Sequence, residues 1–200
     1  ANEVLPDDLV QEIQKYLEQI GRHLSDMKIR ISDLQRFSSE DEVPFTPVPI
    51  RLNDFLEEYH RRNQPDVEVS GADFILRLPR TTCVILGDIH RLQRLLENLV
   101  YNATGFVSIG DRITLSLDCG EGQAVVRVSD TGKGIPPEDL PRVFDRFFRR
   151  RADGSGRGLG LFIASSIARE HGGDITVDSQ LEIGTTFTII LPLYTPEQDE

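Results

Sequence analysis

Two glycine clusters on either side of an arginine-rich aromatic loop occupy the stretch from Ser129 to Gly160, and they constrain the fold more than any other part of the chain. The first cluster, Asp130-Thr131-Gly132-Lys133-Gly134, ends a strand pattern, and the second, residues 154–160, opens a helix pattern. Glycine permits positive φ and close backbone approach, and the amides at a helix start carry about half a positive charge. The second cluster is therefore predicted to bind an anion, and a polyphosphate is the natural candidate.

The clusters match neither of two well-known phosphate-binding glycine patterns. In the Walker pattern the lysine precedes serine or threonine, whereas Lys133 precedes Gly134. The dinucleotide fingerprint needs a third glycine where this chain has Leu159 or Ile163. A glycine cluster alone is also typical of a flexible surface loop, so the surrounding residues have to decide.

Composition limits the partners that the chain can bind. The 200 residues carry a formal net charge of -11 and only three lysines, which argues against nucleic acid and against an anionic membrane. The hydrophobic content of 38% is enough for one globular core and an appendage. Arginine nevertheless collects between the glycine clusters, where phosphate charge would need neutralising, at positions 146, 149, 150, 151 and 157.

Cysteine usage and hydropathy indicate a cytoplasmic chain. Cys83 and Cys119 lie far apart in apolar, strand-like runs, so we expect buried reduced thiols and no disulfide. No apolar run approaches the length of a membrane span, and the N-terminus has no signal-peptide architecture. We expect no membrane contact by this chain, which leaves open whether the intact gene product is membrane-anchored.

The first forty residues carry an unbroken heptad pattern. Its apolar positions are Val10, Leu17, Leu24 and Ile31, with Ile13, Ile20, Met27 and Leu34. A helix over residues 7–37 cannot bury that stripe alone, so it is predicted to pair, most simply in a homodimer; a core helix of a monomer is the alternative. Two proline-punctuated segments, 38–44 and 47–49, are interpreted as a linker. The predicted division is a dimerisation helix with linker (1–43), a globular domain (44–195) and an acidic tail (196–200).

Local patterns in the globular domain predict alternating helices and strands. Asp88 is expected to cap a helix that runs to about Thr104, and Gly120-Glu121-Gly122 is expected to turn a hairpin. A helix after Gly160 is predicted to end at His171-Gly172-Gly173. The other predicted elements are a helix over Leu52–His60 and strands over Phe74–Leu78, Cys83–Leu86, Ile113–Leu117, Val126–Ser129, Asp174–Ser179 and Thr185–Leu193.

Three polar side chains lie where chemistry is expected. Asn98 and Asn102 are four residues apart, at the margin of an apolar helix stripe, which suggests amides facing a polar ligand or a hydrated metal rather than solvent. Asp130 ends a strand next to a glycine turn. Its carboxylate either caps that turn or accepts a hydrogen bond from a purine amino group.

Six motifs across Asp88–Leu193 together resemble the N, G1, F, G2 and G3 boxes of sensor histidine kinases, in order. This is the ATP-binding domain of the gyrase, Hsp90, histidine kinase and MutL superfamily. The motifs are Asn98-Leu99-Val100-Tyr101-Asn102-Ala103, Asp130-Thr131-Gly132-Lys133-Gly134-Ile135-Pro136, Phe144-Asp145-Arg146-Phe147-Phe148-Arg149, Gly156-Arg157-Gly158-Leu159-Gly160-Leu161, His171-Gly172-Gly173 and Gly184-Thr185-Thr186-Phe187.

The resemblance implies an α+β fold, a two-layer α/β sandwich of the Bergerat type, with ATP and Mg2+ bound beneath a mobile lid. It assigns Asp130 to the adenine amino group, Thr186 to the base through water, and Asn102 to Mg2+. Arg149, in the lid, would be the catalytic residue that reaches the terminal phosphate. The other implied ATP-binding residues are Asn98, Gly132, Gly134, Ile135, Phe148, Gly156, Arg157, Gly158, Leu159, Gly160 and Leu161.

The implied activity is transfer of the γ-phosphoryl group of Mg-ATP to a histidine, for relay to a response regulator. Residues 7–37 would be the second helix of the dimerisation and phosphotransfer hairpin. The acidic residue and proline of a phosphoacceptor box follow none of the four histidines, so the phosphoacceptor helix is expected before Ala1.

Two departures keep alternatives open. Gly105 and Phe106 stand where the family usually has lysine and tyrosine, and the lid is short. A non-catalytic, pseudokinase-like dimer that senses nucleotide is one alternative. A serine-directed protein kinase of the same superfamily is the other.

Overall fold

Seven strands form two sheets in residues 44–148 and 158–195, the part of the chain that the computed structural model describes. The larger sheet has the order β2-β4-β5-β7-β6, in which only β2 and β4 run parallel. The smaller sheet pairs β1 with β3. The strands are β1 (Val48–Arg51), β2 (Asp73–Arg77), β3 (Val84–Gly87), β4 (Arg112–Gly120), β5 (Gln123–Asp130), β6 (Asp174–Gln180) and β7 (Gly184–Pro192).

Helices supply the second layer. They are α1 (Leu52–Glu68), α2 (Ile89–Thr104) and α3 (Gly160–Glu170), and a short 3-10 turn covers Leu140–Arg142. The apolar stripe predicted for α2 is its buried face, formed by Leu92, Leu95, Leu96, Leu99, Val100 and Ala103. α2 and α3 pack on each other and on the inner face of the larger sheet. The α+β fold expected from the sequence is therefore confirmed.

Alternation along β5 and β7 decides which side chains face the helices. Val126 and Val128 on β5, with Phe187 and Ile189 on β7, are buried, while the residues between them are half-exposed. Period-two alternation puts successive side chains on opposite faces of a sheet. Asp130 continues the buried series of β5 and therefore lies on the helix side.

Two local predictions are confirmed. The side chain of Asp88 accepts hydrogen bonds from the amides of His90 (3.0 Å) and Arg91 (3.2 Å), so it caps α2. The β4–β5 hairpin turns at Glu121 and Gly122, both with positive φ. These features depend on neighbouring residues alone, which is why the sequence carries them.

Two boundaries were predicted wrongly. Pro47-Val48-Pro49 was interpreted as linker, but β1 begins at Val48 and pairs antiparallel with β3. A proline is tolerated there because, within the described part of the chain, β1 pairs on one side only. Helix α1 continues to Glu68, well past His60, despite Pro65 inside it. Val67 beyond the proline is buried, so tertiary packing outweighs the helix-breaking residue.

The expectation of two free thiols is also wrong. Cys83 and Cys119 form a disulfide, with their Cα atoms 5.9 Å apart. Cys83 immediately precedes β3 and Cys119 lies in β4, so folding brings together residues 36 positions apart. That proximity arises from contact between the two sheets, and sequence spacing cannot reveal it.

Several predictions fall outside the described residues. They concern the heptad helix (7–37), the acidic tail (196–200), and Arg149, Gly156 and Arg157 in the lid. Within 44–148 and 158–195, no helix has both the length and the apolar content needed to cross a lipid bilayer.

Candidate functional site

Asp130 is a buried carboxylate at the end of a central strand. It is only 8% exposed, and its Oδ1 accepts a hydrogen bond from the amide of Gly132 at 2.9 Å. The amide of Thr185 on the neighbouring strand also donates to this carboxylate. Burial raises the pKa of Asp130, although both amide hydrogen bonds oppose the rise. The site therefore contains a desolvated acceptor that gains from a further donor.

The glycines after Asp130 allow backbone to pack directly against backbone. A β-carbon on Gly132 would lie 2.4 Å from the carbonyl oxygen of Phe106, and one on Gly134 would lie 2.2 Å from that of Gln180. Gly134 also has a φ of 68°. The turn is thus held between the loop after α2 and the β6–β7 turn, and neither glycine can be replaced without displacing backbone.

Thr185, rather than Thr186, lies beside Asp130. The register of β5 and β7 pairs Asp130 directly with Thr185, and both are buried. The hydroxyl of Thr186 donates instead to Ser129 on the opposite face. Of the two threonines, Thr185 and not the predicted Thr186 therefore has its side chain on the face of the sheet that carries Asp130. The sequence could have indicated this. Thr185 and Phe187 are two positions apart on β7, so their side chains point to the same, buried face of the sheet.

Ser179 is a site residue that sequence reasoning missed. It lies on β6 opposite Thr185, and the two hydroxyl oxygens are 2.9 Å apart. Its oxygen also accepts the amide of Ile135 (2.8 Å), while its hydroxyl donates to the carbonyl of Gly184 (2.9 Å). Ile135, a predicted nucleotide-binding residue, is therefore anchored to β6.

The two asparagines of α2 are both half-buried, as their spacing predicted. The amide nitrogen of Asn98 donates to the carbonyl of Arg94 at 3.0 Å. Its Oδ1 lies beside the first residue of α3, 3.0 Å from the position that a β-carbon would take on Gly160. Asn102 is one helical turn further along, and its backbone carbonyl accepts a hydrogen bond from the amide of Gly105. α2 thus brings an amide oxygen to the start of α3.

The start of α3 has the features of an anion site. Among the residues that the structure describes, no side chain caps it, and its first amides follow Gly158, which has a φ of 65°. Uncapped amides at a helix N-terminus favour a bound anion. Leu159 is buried and Leu161 half-buried, so they hold the helix start against the core.

The chain on either side of residues 149–157 is joined at its base. The amide of Phe147 donates to the carbonyl of Gly158 at 2.8 Å. The guanidinium of Arg142 lies 5.1 Å from the ring centroid of Phe148, a distance at which cation–π attraction operates. Phe148 and Gly158, both predicted to bind nucleotide, are therefore placed next to the start of α3.

Asp88, at the start of α2, and His171, at the end of α3, are joined by a hydrogen bond. The amide of Asp88 donates to Nε2 of His171 at 3.0 Å, so Nε2 is the acceptor and the proton lies on Nδ1, which donates to the carbonyl of Ile167 at 2.7 Å. Although burial opposes ionisation of Asp88, the amides of Arg91, Thr46 and His90 outweigh it and lower the pKa. His171 ends α3, as predicted.

No cluster of three or more His, Cys, Asp or Glu side chains suited to a metal occurs within 44–148 and 158–195. A cation at this site would depend on the amide oxygens of Asn98 and Asn102 and on the phosphates of its ligand. Mg2+ accepts such oxygen ligands and keeps several waters.

The model for the family described as "Histidine kinase-, DNA gyrase B-, and HSP90-like ATPase" matches residues 87–195, which is more than half of the chain. The sensor protein SrrB of Staphylococcus aureus is 45% identical over 109 residues, which are 52% of this chain and 19% of SrrB. The chain spans about a fifth of the length of the curated relatives it matches.

Solved histidine kinases share the fold. The mycobacterial sensor histidine kinase MprB is 29% identical with a TM-score of 0.64, covering 74% of this chain and 98% of MprB. The catalytic domain of histidine kinase ThkA is 26% identical with a TM-score of 0.65, covering 75% of this chain and 96% of that one. ThkA in complex with the response regulator TrrA is 24% identical, has a TM-score of 0.70, and covers 99% and 55%.

Proposed function

Because the chain belongs to the family of histidine kinase-, DNA gyrase B- and HSP90-like ATPases, we propose that its globular domain is the ATP-binding catalytic part of a two-component sensor histidine kinase. It binds Mg-ATP and transfers the γ-phosphoryl group to a histidine. The observation that carries the proposal is the buried carboxylate of Asp130, held by two amides beside a turn that has no room for a β-carbon.

The described residues fit a purine nucleotide at both ends. At the base end, Asp130 is an acceptor for the adenine amino group, and a base that lacks this donor leaves a buried acceptor unpaired. At the other end, the uncapped start of α3 and the oxygen of Asn98 suit phosphates and their cation. When bound, Mg2+ neutralises phosphate charge and orients the γ-phosphoryl group. Asn102 is the proposed protein ligand for that ion.

Asn98 favours a kinase over an ATPase. The resemblance places a glutamate at this position in the hydrolytic relatives, where a carboxylate acts as general base toward water. The amide of Asn98 cannot accept that proton. Arg149 is proposed to reach the terminal phosphate, and the amides from Gly156 onward to hold its oxygens; Arg149, Gly156 and Arg157 lie outside the described residues, so their roles rest on the resemblance.

The proposed partners are a second copy of the chain and a response regulator. The heptads of residues 7–37 support a homodimer, and ThkA supports the regulator because it has been solved with one. The proposed location is the cytoplasm.

Nucleotide binding is tested by replacing the carboxylate. Asp130→Ala removes a charge-assisted hydrogen bond of roughly 1.5–3 kcal/mol, so we expect ATP affinity to fall about tenfold to a hundredfold. Isothermal titration calorimetry with Mg-ATP measures the change, and Asp118→Ala, an exposed carboxylate on β4, is the control. Unchanged binding by Asp130→Ala would place the base elsewhere.

A phosphotransfer assay distinguishes the kinase from the non-catalytic nucleotide-sensing dimer. That alternative is kept open by Gly105 and Phe106, which stand where the family usually has lysine and tyrosine. The chain is mixed with labelled ATP and a separate domain that carries a phosphoacceptor histidine. We expect label on that domain and none on the four histidines of this chain. Tight ATP binding without any transfer would support the nucleotide-sensing dimer, and label on serine would support the serine-directed kinase.

A further inference from the structure

Three side chains from neighbouring strands meet at the base end of the site. Thr185 on β7 is paired on one side with Asp130 of β5 and on the other with Ser179 of β6. Directly opposed residues on one face of a sheet bring their Cβ atoms to about 5 Å. The hydroxyl oxygen of Ser179 lies 2.9 Å from that of Thr185.

The hydrogen-bond partners of Ser179 fix the direction of that contact. A serine hydroxyl has one proton and two acceptor lone pairs. The oxygen of Ser179 lies 2.9 Å from the carbonyl oxygen of Gly184, which has no proton, so Ser179 must donate there. Its oxygen already accepts the amide of Ile135. The remaining contact at 2.9 Å is therefore made by the proton of Thr185.

With its proton directed at Ser179, Thr185 has only acceptor capacity left for a ligand. The ionised carboxylate of Asp130 is also an acceptor only. The base end thus presents acceptors alone, which match a 6-amino purine and repel the acceptor oxygen of a 6-oxo purine.

We propose that Ser179 is a positioning residue that sets the hydrogen-bond polarity of Thr185 and thereby excludes 6-oxo purines. The inference rests on the proposed binding of ATP. Without Ser179, the proton of Thr185 is free to turn toward the ligand and meet a 6-oxo group. In the wild-type protein, purine specificity is shared between the carboxylate of Asp130 and the hydroxyl of Thr185, whose hydrogen-bond direction is set by Ser179 on the next strand.

The experiment compares ATP with inosine triphosphate, whose base has a 6-oxo group and a proton on N1 where adenine has a 6-amino group and an unprotonated N1. Dissociation constants are measured by calorimetry with Mg2+ at pH 8 for wild type and Ser179→Ala. We expect the preference for ATP to fall about tenfold in Ser179→Ala. Ser179 also anchors Ile135, so loss of a purely structural role would weaken both nucleotides equally and leave the ratio unchanged.

Ser129→Ala is the matched control. Ser129 and Thr186 form a hydroxyl pair of the same length on the opposite face of the same sheet, so the variant removes an equivalent bond without touching the base end. The nucleotide preference should stay at the wild-type value. Ser179→Thr keeps the hydroxyl and should keep the preference as well.

Thr185→Val tests the same idea without altering Ser179. It removes the acceptor and should lower the preference, and adding Ser179→Ala to it should cause no further fall. If wild type binds ATP and neither variant changes the preference, the role of Ser179 is wrong while the proposed function stands. If wild type binds no nucleotide, both are wrong.

Discussion

The side-chain oxygen of Asn98 lies 3.0 Å from the position that a β-carbon would occupy on Gly160. A contact of this length is tighter than nine in ten real Cβ contacts, so a side chain on the first residue of α3 would press against the amide that α2 presents. The two residues join the metal end of the proposed site to its phosphate end.

Gly160→Ala is expected to weaken nucleotide binding more than it weakens the fold. The added methyl forces Asn98 and the start of α3 apart by a few tenths of an ångström, and we expect about a tenfold loss of ATP affinity. Alanine is favoured over glycine in helices by up to about 1 kcal/mol, which offsets the strain in the free energy of unfolding.

Calorimetry and urea unfolding separate these two effects. Gly120→Ala is the control, because a β-carbon there meets no atom within 4 Å. A Gly160→Ala variant that binds ATP like wild type would mean that the approach of Asn98 has no bearing on the site.

Gly87 and His171 are expected to behave as a coupled pair. A β-carbon on Gly87 would lie 2.7 Å from Cδ2 of His171, so Gly87→Ala should cost about 1–3 kcal/mol. His171→Ala leaves the amide of Asp88 without its acceptor and should cost roughly 2–4 kcal/mol. The double variant should lose at least about 1 kcal/mol less than the sum, since removing the ring makes room for the methyl.

Urea unfolding of the four proteins of this cycle gives the coupling energy. Strict additivity would show that the ring and the glycine do not meet in solution.

The two buried aspartates are expected to affect stability with opposite dependence on pH. The folded state raises the pKa of Asp130 above its ordinary value of 3.8 because the carboxyl group is buried. The free-energy cost of ionising the buried carboxyl group is therefore absent below pH 3.8 and develops as the pH rises through the folded-state pKa. Asp130→Asn should gain stability relative to wild type between pH 4 and pH 7.

Asp88→Asn is the matched comparison. The pKa of Asp88 is lowered, so its stabilisation is present above the unfolded value and is lost as the pH falls through the folded-state pKa. This variant should therefore lose stability relative to wild type as the pH rises from the folded-state pKa of Asp88 to its ordinary value, which is below the range in which Asp130 acts. Urea midpoints across the range test both signs, and parallel curves for the two variants would contradict the prediction.

Sequence reasoning succeeded where a signal is local. The cap at Asp88, the turn at Glu121 and Gly122, and the carboxylate of Asp130 at a strand end are each determined by residues within a few positions. The family motifs added the relation between distant segments, which spacing alone does not provide.

It failed where the partner is distant in the chain. The pairing of β1 with β3, the disulfide from Cys83 to Cys119, and the bond between Asp88 and His171 join residues between 33 and 83 positions apart. The choice of Thr186 over Thr185 is a different matter, because the alternation of β7 shows which of the two threonines shares the face of Asp130.

The eight consecutive residue pairs between β5 and β7 determine where the chain can tolerate insertions and deletions. Deleting Thr186 would shift the rest of β7 by one position, so that Thr188 and Ile190 would take the buried positions of Phe187 and Ile189. Insertions in the tip at Glu121 and Gly122 carry no such penalty. Tolerance to indels should therefore differ sharply between the two ends of the same pair of strands.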